Sequence, residues 1–324
     1  MTEQNTNFLS SRREILFLYD IRMGNPNGDP DENRPRRLPD GRFYVTDVRL
    51  KRFARDYIIA KQGEDKILVG TVEGRTTNLT GRVAHYLQKV DKPRADGQEL
   101  VDIILDAFID ARWFGSSLAF KKHDDWEPKP EPKTLTGAVQ FNMGEVLHDA
   151  EEIQIQGTSV FGSDETKGQG TFTNYAALRY GLIGFHGIAN EHSAKKSHLT
   201  ESDYDELLKS LWNGVRSSGN TRTKVGQVSR LLISVEYKAG EEFQFGNFLD
   251  YVALEARNGK PQKEWSSPFD YYLDIDLLLE RLQSQDKRIE QIRYELSPDV
   301  SFKGDTTLPG SWENLGYDST PVGE

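Results

Sequence analysis

Apolar and polar positions repeat along the chain with two different periods, and each period predicts one kind of element. Apolar runs or strict alternation bounded by Gly, Pro or Asn predict strands, whereas apolar residues at i, i+3, i+4 and i+7 predict amphipathic helices. These patterns give strands at 14–22, 137–143, 181–189 and 230–238, and helices at 46–60 and 200–217. Thr46 is the expected N-cap of the first helix, and Thr200 with Asp203 predicts a capping box at the start of the second. In chain order the six elements read βαββαβ. That is the ferredoxin-like arrangement, an α+β fold shared by many RNA-binding modules and many enzymes.

The segments between and beyond these elements carry further patterns. A helix is predicted at about 96–112, followed by the proline-rich connector KPEPKTLTG. Short β-like pieces at 153–161 and 171–178 flank the glycine-rich sequence SDETKGQG, which predicts a long β-hairpin. Another helix is predicted at about 274–296, and residues 297–324 have too little periodicity to predict an ordered element.

Composition excludes several classes of protein. The 324 residues include no cysteine, so disulfides and thiolate metal sites are excluded. No apolar run reaches the roughly 18 residues that cross a bilayer, and the N-terminal residues lack a signal-peptide core, so we expect a soluble, cytoplasmic protein. No nucleophile elbow, P-loop or dinucleotide fingerprint is present, so nothing supports a serine hydrolase or a nucleotide-binding enzyme.

Charge is distributed unevenly along the chain, although the net charge is −10. Residues 239–324 hold 8 basic and 17 acidic side chains, whereas residues 34–55 hold 8 basic and 2 acidic ones, and 216–230 add four basic and no acidic ones. An acidic protein can still attract a polyanion to a basic stripe, because salt screens more distant charges beyond about 8–10 Å. Either basic cluster, taken alone, fits a solvated surface equally well.

The most unusual local sequence is the opening loop, MGNPNGDPDENRPRR (Met23–Arg37), directly after the first strand. Such a loop can hold a phosphate with its backbone and side-chain donors, hold a metal through Asp29, or only turn the chain. Three of the six histidines recur every six residues, which suits no single metal site, and the acidic HDAEE (148–152) is better explained as a surface turn. We therefore predict no metal site.

Two aromatic residues, Phe161 and Phe172, flank the glycine-rich tip of the predicted hairpin, where no core is expected. Aromatic side chains on an exposed arm suit base stacking or a wedge between nucleotides. Packing on each other or on a neighbouring subunit fits them equally well. The strand YGLIGFHGI lacks the basic residue and final aromatic of the usual RNA-recognition signature, so any RNA binding would rest on backbone contacts and shape.

Five sequences, GNPNGDPDENRPRR, VTDVRLKR, DARWFG, GAVQFNMG and FHGIAN, follow one another across residues 13–238. In these motifs the chain resembles the backbone subunit of CRISPR Cascade complexes, a RAMP-superfamily protein, in its type I-B and I-C branch. The resemblance implies a ferredoxin-like (RRM-like) palm at 13–240, a helical finger region inserted at about 61–136, and a β-hairpin thumb at about 153–178. The acidic C-terminal extension, 241–324, carries no motif of that family.

The resemblance also implies a function. Several copies would coat one crRNA head to tail in a helical filament, thumbs would displace a base at regular intervals, and the bases between would pair with target DNA. The expected partners are therefore crRNA, target DNA through the guide, other copies of the chain and other Cascade subunits, with no membrane, no cofactor and no catalytic residue. Two alternatives remain: a metal-dependent RNA endonuclease of the type III kind that uses Asp29, and a small-molecule enzyme on the same fold.

The predicted RNA-binding residues combine this resemblance with side-chain chemistry. We expect the opening loop to cradle the RNA backbone, the basic side chains to bind phosphates, polar residues of the second strand to contact ribose or base edges, and a thumb aromatic to act as the wedge. The set is Arg22, Gly24, Asn25, Asn27, Gly28, Arg34, Arg49, Lys51, Arg52, Arg55, Gln140, Asn142, Phe161, Phe172, Arg222 and Lys224.

Overall fold

The computed structural model describes residues 7–29, 31–121, 133–158, 172–219 and 223–318. Within them the strands are β1 (Arg13–Gly24), β2 (Tyr44–Val45), β3 (Gly115–Leu118), β4 (Lys133–Thr136), β5 (Val139–Phe141), β6 (Gly144–Val146), β7 (Glu152–Thr158), β8 (Phe172–Ala189), β9 (Gln227–Tyr237), β10 (Ala253–Ala256), β11 (Tyr271–Asp274), β12 (Ile289–Leu296) and β13 (Glu313–Asn314). The α-helices are α1 (Asp47–Gln62), α2 (Leu79–Lys89), α3 (Gly97–Ala107), α4 (Ile109–Phe114), α5 (Glu191–Ser197), α6 (Glu201–Ser217) and α7 (Asp276–Ser284). The predicted mixture of α and β elements is confirmed.

The largest sheet is built around β1. This strand pairs antiparallel with β8 on one side and with β9 on the other. Beyond β8 lie β5, β6 and β7, all antiparallel to it, and beyond β9 lies β12, with β13 at the edge. The four strands predicted from periodicity therefore stand in the order β9–β1–β8–β5.

Strand β8 belongs both to the hairpin and to the central sheet, because it runs for 18 residues without interruption. Its first part pairs with β7, from Glu152 opposite Leu178 to Thr158 opposite Phe172, so the predicted hairpin is confirmed up to those residues. Its tip, 159–171, lies outside the described residues. Leu178 also pairs with Gly24, on the other side of β8. The hairpin therefore leaves the sheet beside the end of β1, where the opening loop begins.

Helices α1 and α6 pack on one face of the sheet. Apolar side chains of β1, such as Phe17, share a buried cluster with Phe53 of α1 and Trp212 of α6. Both helices begin where their capping residues predict. The Thr46 side chain accepts a hydrogen bond from the N–H of Arg49, and both bonds of the Thr200 capping box of α6 are present.

The C-terminal region covers the opposite face of the same sheet. Leu16 and Leu231, which point to this face, share a second buried cluster with Trp265 and Leu273. The helix predicted at 274–296 is correct for α7 and wrong beyond it, because residues 289–296 form β12. The edge of β9 that is not paired with β1 forms the hydrogen bonds of β12, and the periodicity of residues 289–296 gives no sign of such a distant partner.

Two other predicted elements are divided in the structure. The helix expected at 96–112 breaks at Phe108, which is fully buried and takes an extended conformation (φ −110°, ψ 106°) between α3 and α4. The strand expected at 137–143 ends at Phe141, after which Asn142 Oδ1 accepts a hydrogen bond from the N–H of His186 (2.8 Å).

Helix α2, which was not predicted, shares a third buried cluster with α3 and α4.

Within the described ranges, no helix combines the length and the hydrophobicity that crossing a bilayer requires.

Candidate nucleic-acid interface

The opening loop is held in shape by its own asparagines. Asn25 is 3% exposed; its Nδ2 donates to the carbonyl oxygen of Asn33 (2.7 Å), and its Oδ1 accepts from the N–H of Asn27 (3.1 Å). Asn27 Oδ1 accepts from both the N–H and the hydroxyl of Thr46, each at 2.8 Å. The bond from Asn25 Nδ2 corrects the expectation that this amide is free to donate to RNA. The bonds of Asn27 engage its oxygen, so RNA binding by its amide nitrogen stays a prediction.

The loop glycines allow the chain to pack against itself. A Cβ at Gly24 would lie 2.6 Å from the carbonyl oxygen of Thr223, and one at Gly28 would lie 2.3 Å from Asn33 Oδ1. Neither glycine has a left-handed φ; the loop's positive values belong to Met23 (50°) and Asn33 (53°). The space left by each missing side chain is thus filled by protein atoms, and close approach of RNA is not what requires these two glycines.

Asp29 caps a turn of the loop. Its Oδ1 accepts from the N–H groups of Asp31 (2.9 Å) and Glu32 (2.7 Å), and its Oδ2 accepts from the N–H of Arg34 (3.0 Å). The Glu32 N–H is the largest influence that lowers the pKa of this carboxyl. Among the described residues, no three His, Asp or Glu side chains are grouped as a metal site requires.

Lys224 and Arg49 form a pair of cations beside the loop. Lys224 Nζ donates to the carbonyl oxygens of Asn25 and Pro26, the latter at 3.0 Å. The Arg49 guanidinium lies 4.3 Å from the centre of the Phe53 ring, and its buried Nε has no hydrogen-bond partner among the described residues. Burial, followed by the charge of Arg49, lowers the pKa of Lys224 to about 7. A bound anion would stabilise the charged form of Lys224 and would therefore offset both causes of its lowered pKa.

Two further cations of α1 lie along its more polar surface. Lys51 Nζ is 2.9 Å from a carboxylate oxygen of Asp47 and donates to Gln140 Oε1 (3.2 Å). Arg52 is 54% exposed and pairs with Asp56 at 2.6 Å. Both pairs involve exposed or half-buried groups, so a phosphate could replace the carboxylate at small cost. The structure thus brings Lys51 together with Gln140, as the prediction requires of a shared surface.

Arg55 has a structural position, which corrects its assignment as a phosphate ligand. The side chain is 8% exposed and its Nε lies 2.8 Å from a carboxylate oxygen of Asp110. Asp110 is also buried, and it accepts hydrogen bonds from the N–H groups of Leu68 and Val69. Removing a partner from such a buried pair is strongly destabilising, so Arg55 anchors α1 to α4.

Asn142 is likewise used inside the sheet. Its Oδ1 accepts from the N–H of His186, and its own N–H donates to the carbonyl oxygen of the same residue (3.0 Å). This oxygen thus has one of its two acceptor positions occupied within the sheet, and the ribose or base contact stays a prediction. Gln140, by contrast, lies on β5 with an exposed side chain.

Arg34 contacts the root of the hairpin. Its Nε and Nη2 donate to Glu152 Oε1 at 2.9 and 2.6 Å, and Arg37 Nη2 donates to Glu152 Oε2 at 3.1 Å. The sequence analysis considered Glu152 only as part of the acidic segment HDAEE, which it explained as a surface turn. An acidic residue 118 positions from its partner gives no local signal, and only the pairing of β7 with β8 brings the two together.

Of the remaining predicted residues, Arg22 and the backbone of Phe172 belong to the described part of the chain. Arg22 is the first exposed residue of β1, and no hydrogen bond or ion pair of its side chain is found among the described residues. Phe172 begins β8, with only its backbone described. Phe161 and Arg222 lie outside the described residues.

The sheet, the two covering layers and the cation pair define an α+β protein with a candidate site for a polyanion. The family described as CRISPR-associated protein Cas7 matches residues 11–276. A protein of Haloferax volcanii described as "CRISPR-associated protein Cas7" is 33% identical over 298 residues, which cover 87% of this chain and 86% of that protein. The chain therefore belongs to the CRISPR-associated protein Cas7 family, and the resemblance inferred from its motifs is confirmed at that level.

Solved structures show the same fold at low sequence identity. A chain of a "CRISPR RNA-guided surveillance complex" has a TM-score of 0.54 and 14% identity, with 96% of each chain covered. A chain of a "CRISPR RNA-guided surveillance complex, pre-nicking" has a TM-score of 0.53 and 12% identity, with 94% of this chain and 96% of that chain covered. The similarity extends over nearly the whole of both chains and includes the C-terminal region.

Proposed function

We propose that this chain is a non-catalytic, RNA-binding backbone subunit of a CRISPR type I Cascade complex of the I-B or I-C branch. Repeated copies coat the crRNA spacer and present it for pairing with target DNA in antiviral defence. The observation that carries the proposal is the pair of cations beside the opening loop, Lys224 and Arg49, for which no ion pair with a carboxylate is found among the described residues. The similar solved complexes, described as RNA-guided, support RNA as the anion.

The architecture fits this role. The strand order β9–β1–β8–β5, with α1 and α6 on one face, supports a ferredoxin-like palm. Helices α2–α4 correspond to the finger and the β7–β8 hairpin to the thumb. A subunit that accepts any guide must hold RNA by phosphate, sugar and shape, so cations on a preshaped loop suit it better than a base-reading motif.

Assembly follows from the same proposal. Copies bind head to tail along the guide in the cytoplasm, together with other Cascade subunits. Contacts of this kind do not close, so they generate a helical filament. The mass of the complex should therefore increase with guide length; a constant mass on guides of different length would contradict open-ended assembly.

The cation pair is tested with charge-reversed variants. Complexes carrying Lys224→Glu or Arg49→Glu are purified with a guide, and the RNA they retain is measured by the ratio of absorbance at 260 and 280 nm. We expect both variants to lose RNA. A Lys263→Glu control, whose side chain in the C-terminal region is 64% exposed, should retain it. Retention of RNA by the Lys224→Glu and Arg49→Glu variants, or absence of RNA from the wild type, would contradict the proposal.

The nuclease alternative depends on Asp29, whose two carboxylate oxygens already accept three backbone N–H groups. A metal would have to compete with those bonds. Wild-type complexes with Mg²⁺ or Mn²⁺ should leave a complementary RNA intact, and Asp29→Asn should still bind guide and target DNA. Cleavage of the RNA at regular intervals would support the nuclease alternative if Asp29→Asn abolished it and the Asp40→Asn control preserved it.

A further inference from the structure

The root of the hairpin is joined to the opening loop by one carboxylate. We propose that Glu152 is a positioning residue: together with Arg34 and Arg37 it fixes the direction in which the hairpin leaves the sheet relative to the loop beside the cation pair. This arginine clamp (Arg34, Arg37 and Glu152) extends the proposed function, because it links the part of the molecule that holds RNA phosphates to the part that spaces the bases.

The clamp lies at the base of the hairpin, where a small rotation of β7 and β8 would produce a large displacement at the hairpin's far end. Glu152 is the first residue of β7 and pairs with Leu178, which pairs on its other side with Gly24 at the start of the opening loop. Beyond this row, β7 and β8 pair with each other up to Thr158 and Phe172. The side-chain contact of Glu152 with Arg34 and Arg37 therefore bridges loop and hairpin at the hairpin's base.

The carboxylate accepts three hydrogen bonds from the clamp and a fourth, at 3.2 Å, from Gln154 Nε2 of the same strand. Glu152 Oε1 accepts from Arg34 Nε and Nη2, Oε2 accepts from Arg37 Nη2, and the Glu152 side chain is only 6% exposed. Charge-assisted bonds from two guanidinium groups fix a carboxylate in direction as well as in position. The side chains of Arg34 and Arg37 remain 48% and 45% exposed, so the clamp lies at the surface of the protein.

Arg37 connects the clamp to the core. Its guanidinium carbon lies 3.9 Å from the centre of the Phe43 ring, and its Nη1 donates to the carbonyl oxygen of Gly41 (3.3 Å). Phe43 is 4% exposed and belongs to the buried cluster under α1. A continuous series of contacts thus runs from that cluster through Arg37 to Glu152 and into β7.

The hairpin root also provides a matched control. Glu151, the neighbouring residue, pairs with Arg179 of β8 (2.6 Å) and makes no contact with the loop among the described residues. Glu151→Gln and Glu152→Gln each remove one negative charge from the same strand end with little change in shape. Only Glu152→Gln breaks the bridge to the loop.

Hydrogen exchange of the RNA-free protein tests the clamp independently of RNA. We expect Glu152→Gln to raise the exchange of β7 amides and of the β8 amides that face them by about tenfold, as loss of charge-assisted bonds implies. Amides of α6 should not change, and Glu151→Gln should have little effect. Unchanged β7 exchange in Glu152→Gln, or an equal rise in Glu151→Gln, would overturn the proposal.

Chemical footprinting of the guide in assembled complexes tests the consequence. Glu152→Gln should retain guide at wild-type affinity but lose the regular spacing of reactive bases, whereas Glu151→Gln should keep that spacing. Tighter guide binding by Glu152→Gln would overturn the proposal, since Glu152 would then compete with phosphate for the arginines. If wild-type complexes carry no RNA, the proposed function is wrong. The hydrogen-exchange result still shows whether Glu152 fixes the hairpin to the loop.

Discussion

Asn27 accepts two hydrogen bonds from Thr46, one from the backbone N–H and one from the hydroxyl, both at 2.8 Å. Thr46 is the N-cap of α1, and its own side-chain oxygen accepts from the N–H of Arg49. The opening loop, the helix cap and one member of the cation pair are thus joined by consecutive hydrogen bonds. Disturbing the loop should therefore displace the cations of α1.

A pair of substitutions separates the structural role of Asn27 from a direct contact with RNA. Asn27→Ala should lower the free energy of unfolding by about 1–3 kcal/mol, because the Thr46 donors lose their acceptor. Asn27→Asp keeps an acceptor oxygen and most of the stability, but its charge beside the cations should weaken guide binding. Urea denaturation and filter binding measure the two effects. A stable Asn27→Ala variant with weakened guide binding would instead show that the amide contacts RNA.

The lowered pKa of Lys224 predicts a pH dependence of guide binding. In the free protein this pKa is about 7, and a phosphate placed beside the ammonium raises it, so binding takes up a proton. Affinity should be greatest below the free pKa, fall as pH rises through about 7, and level off above the higher pKa of the bound state. The limit for one proton is about tenfold per pH unit.

Measurement of guide affinity from about pH 6 to about pH 9 at constant ionic strength checks this dependence. The matched control is Lys224→Arg, which keeps its charge throughout that range and should give a flat profile. A flat wild-type profile would place the phosphate elsewhere. A slope that persists in Lys224→Arg would assign the titration to another group.

Local signals were sufficient for parts of the fold. The cap of α1 at Thr46 and the capping box at Thr200 involve residues a few positions apart, and both were predicted correctly. The strand at 289–296 was mistaken for a helix, because its hydrogen bonds come from β9, more than 50 residues earlier. The break at Phe108 depends on burial in the cluster that α2, α3 and α4 share, which periodicity does not report.

Charge pattern predicted the location of the candidate site better than the role of each residue. Each of the two basic segments supplies one member of the cation pair: Arg49 comes from 34–55 and Lys224 from 216–230. Whether a particular cation is free depends on its acidic partner, and Asp110 and Glu152 lie 55 and 118 positions from Arg55 and Arg34. Those distances in sequence are why one predicted phosphate ligand proved to be a buried structural residue.

Arg55 and Arg52, three positions apart on α1, should respond differently to truncation. Arg55→Ala leaves Asp110 buried without its cation and should lower the free energy of unfolding by about 3–5 kcal/mol. Arg52→Ala removes an exposed pair with Asp56 and should change it by less than about 1 kcal/mol. If Arg52 binds a phosphate, its truncation should also reduce the salt dependence of guide binding by about 0.7.

Thermal unfolding and guide binding over a series of salt concentrations measure these two variants. An Arg55→Ala variant as stable as the wild type would contradict the buried-pair assignment. An unchanged salt slope in Arg52→Ala would leave that side chain on a solvated face of the helix.

The C-terminal region should contribute to stability through Trp265. This side chain is 1% exposed; its ring lies 5.1 Å from that of Tyr271, and its Nε1 donates to the carbonyl oxygen of Lys260 (3.1 Å). Trp265→Ala should lower the free energy of unfolding by about 3–5 kcal/mol, because it opens a cavity on the sheet face opposite α1. The nearby Phe269 is 58% exposed, and Phe269→Ala should change stability by less than about 0.5 kcal/mol.

Guide binding by the Trp265→Ala variant, at a temperature where it remains folded, decides whether the two faces of the sheet act separately. The cation pair lies with α1 on the other face, so affinity per folded molecule should equal that of the wild type. Denaturation in urea gives the stability, and titration with guide gives the affinity. A large loss of affinity in folded Trp265→Ala, without a similar loss in Phe269→Ala, would show that the C-terminal layer shapes the RNA site through the sheet.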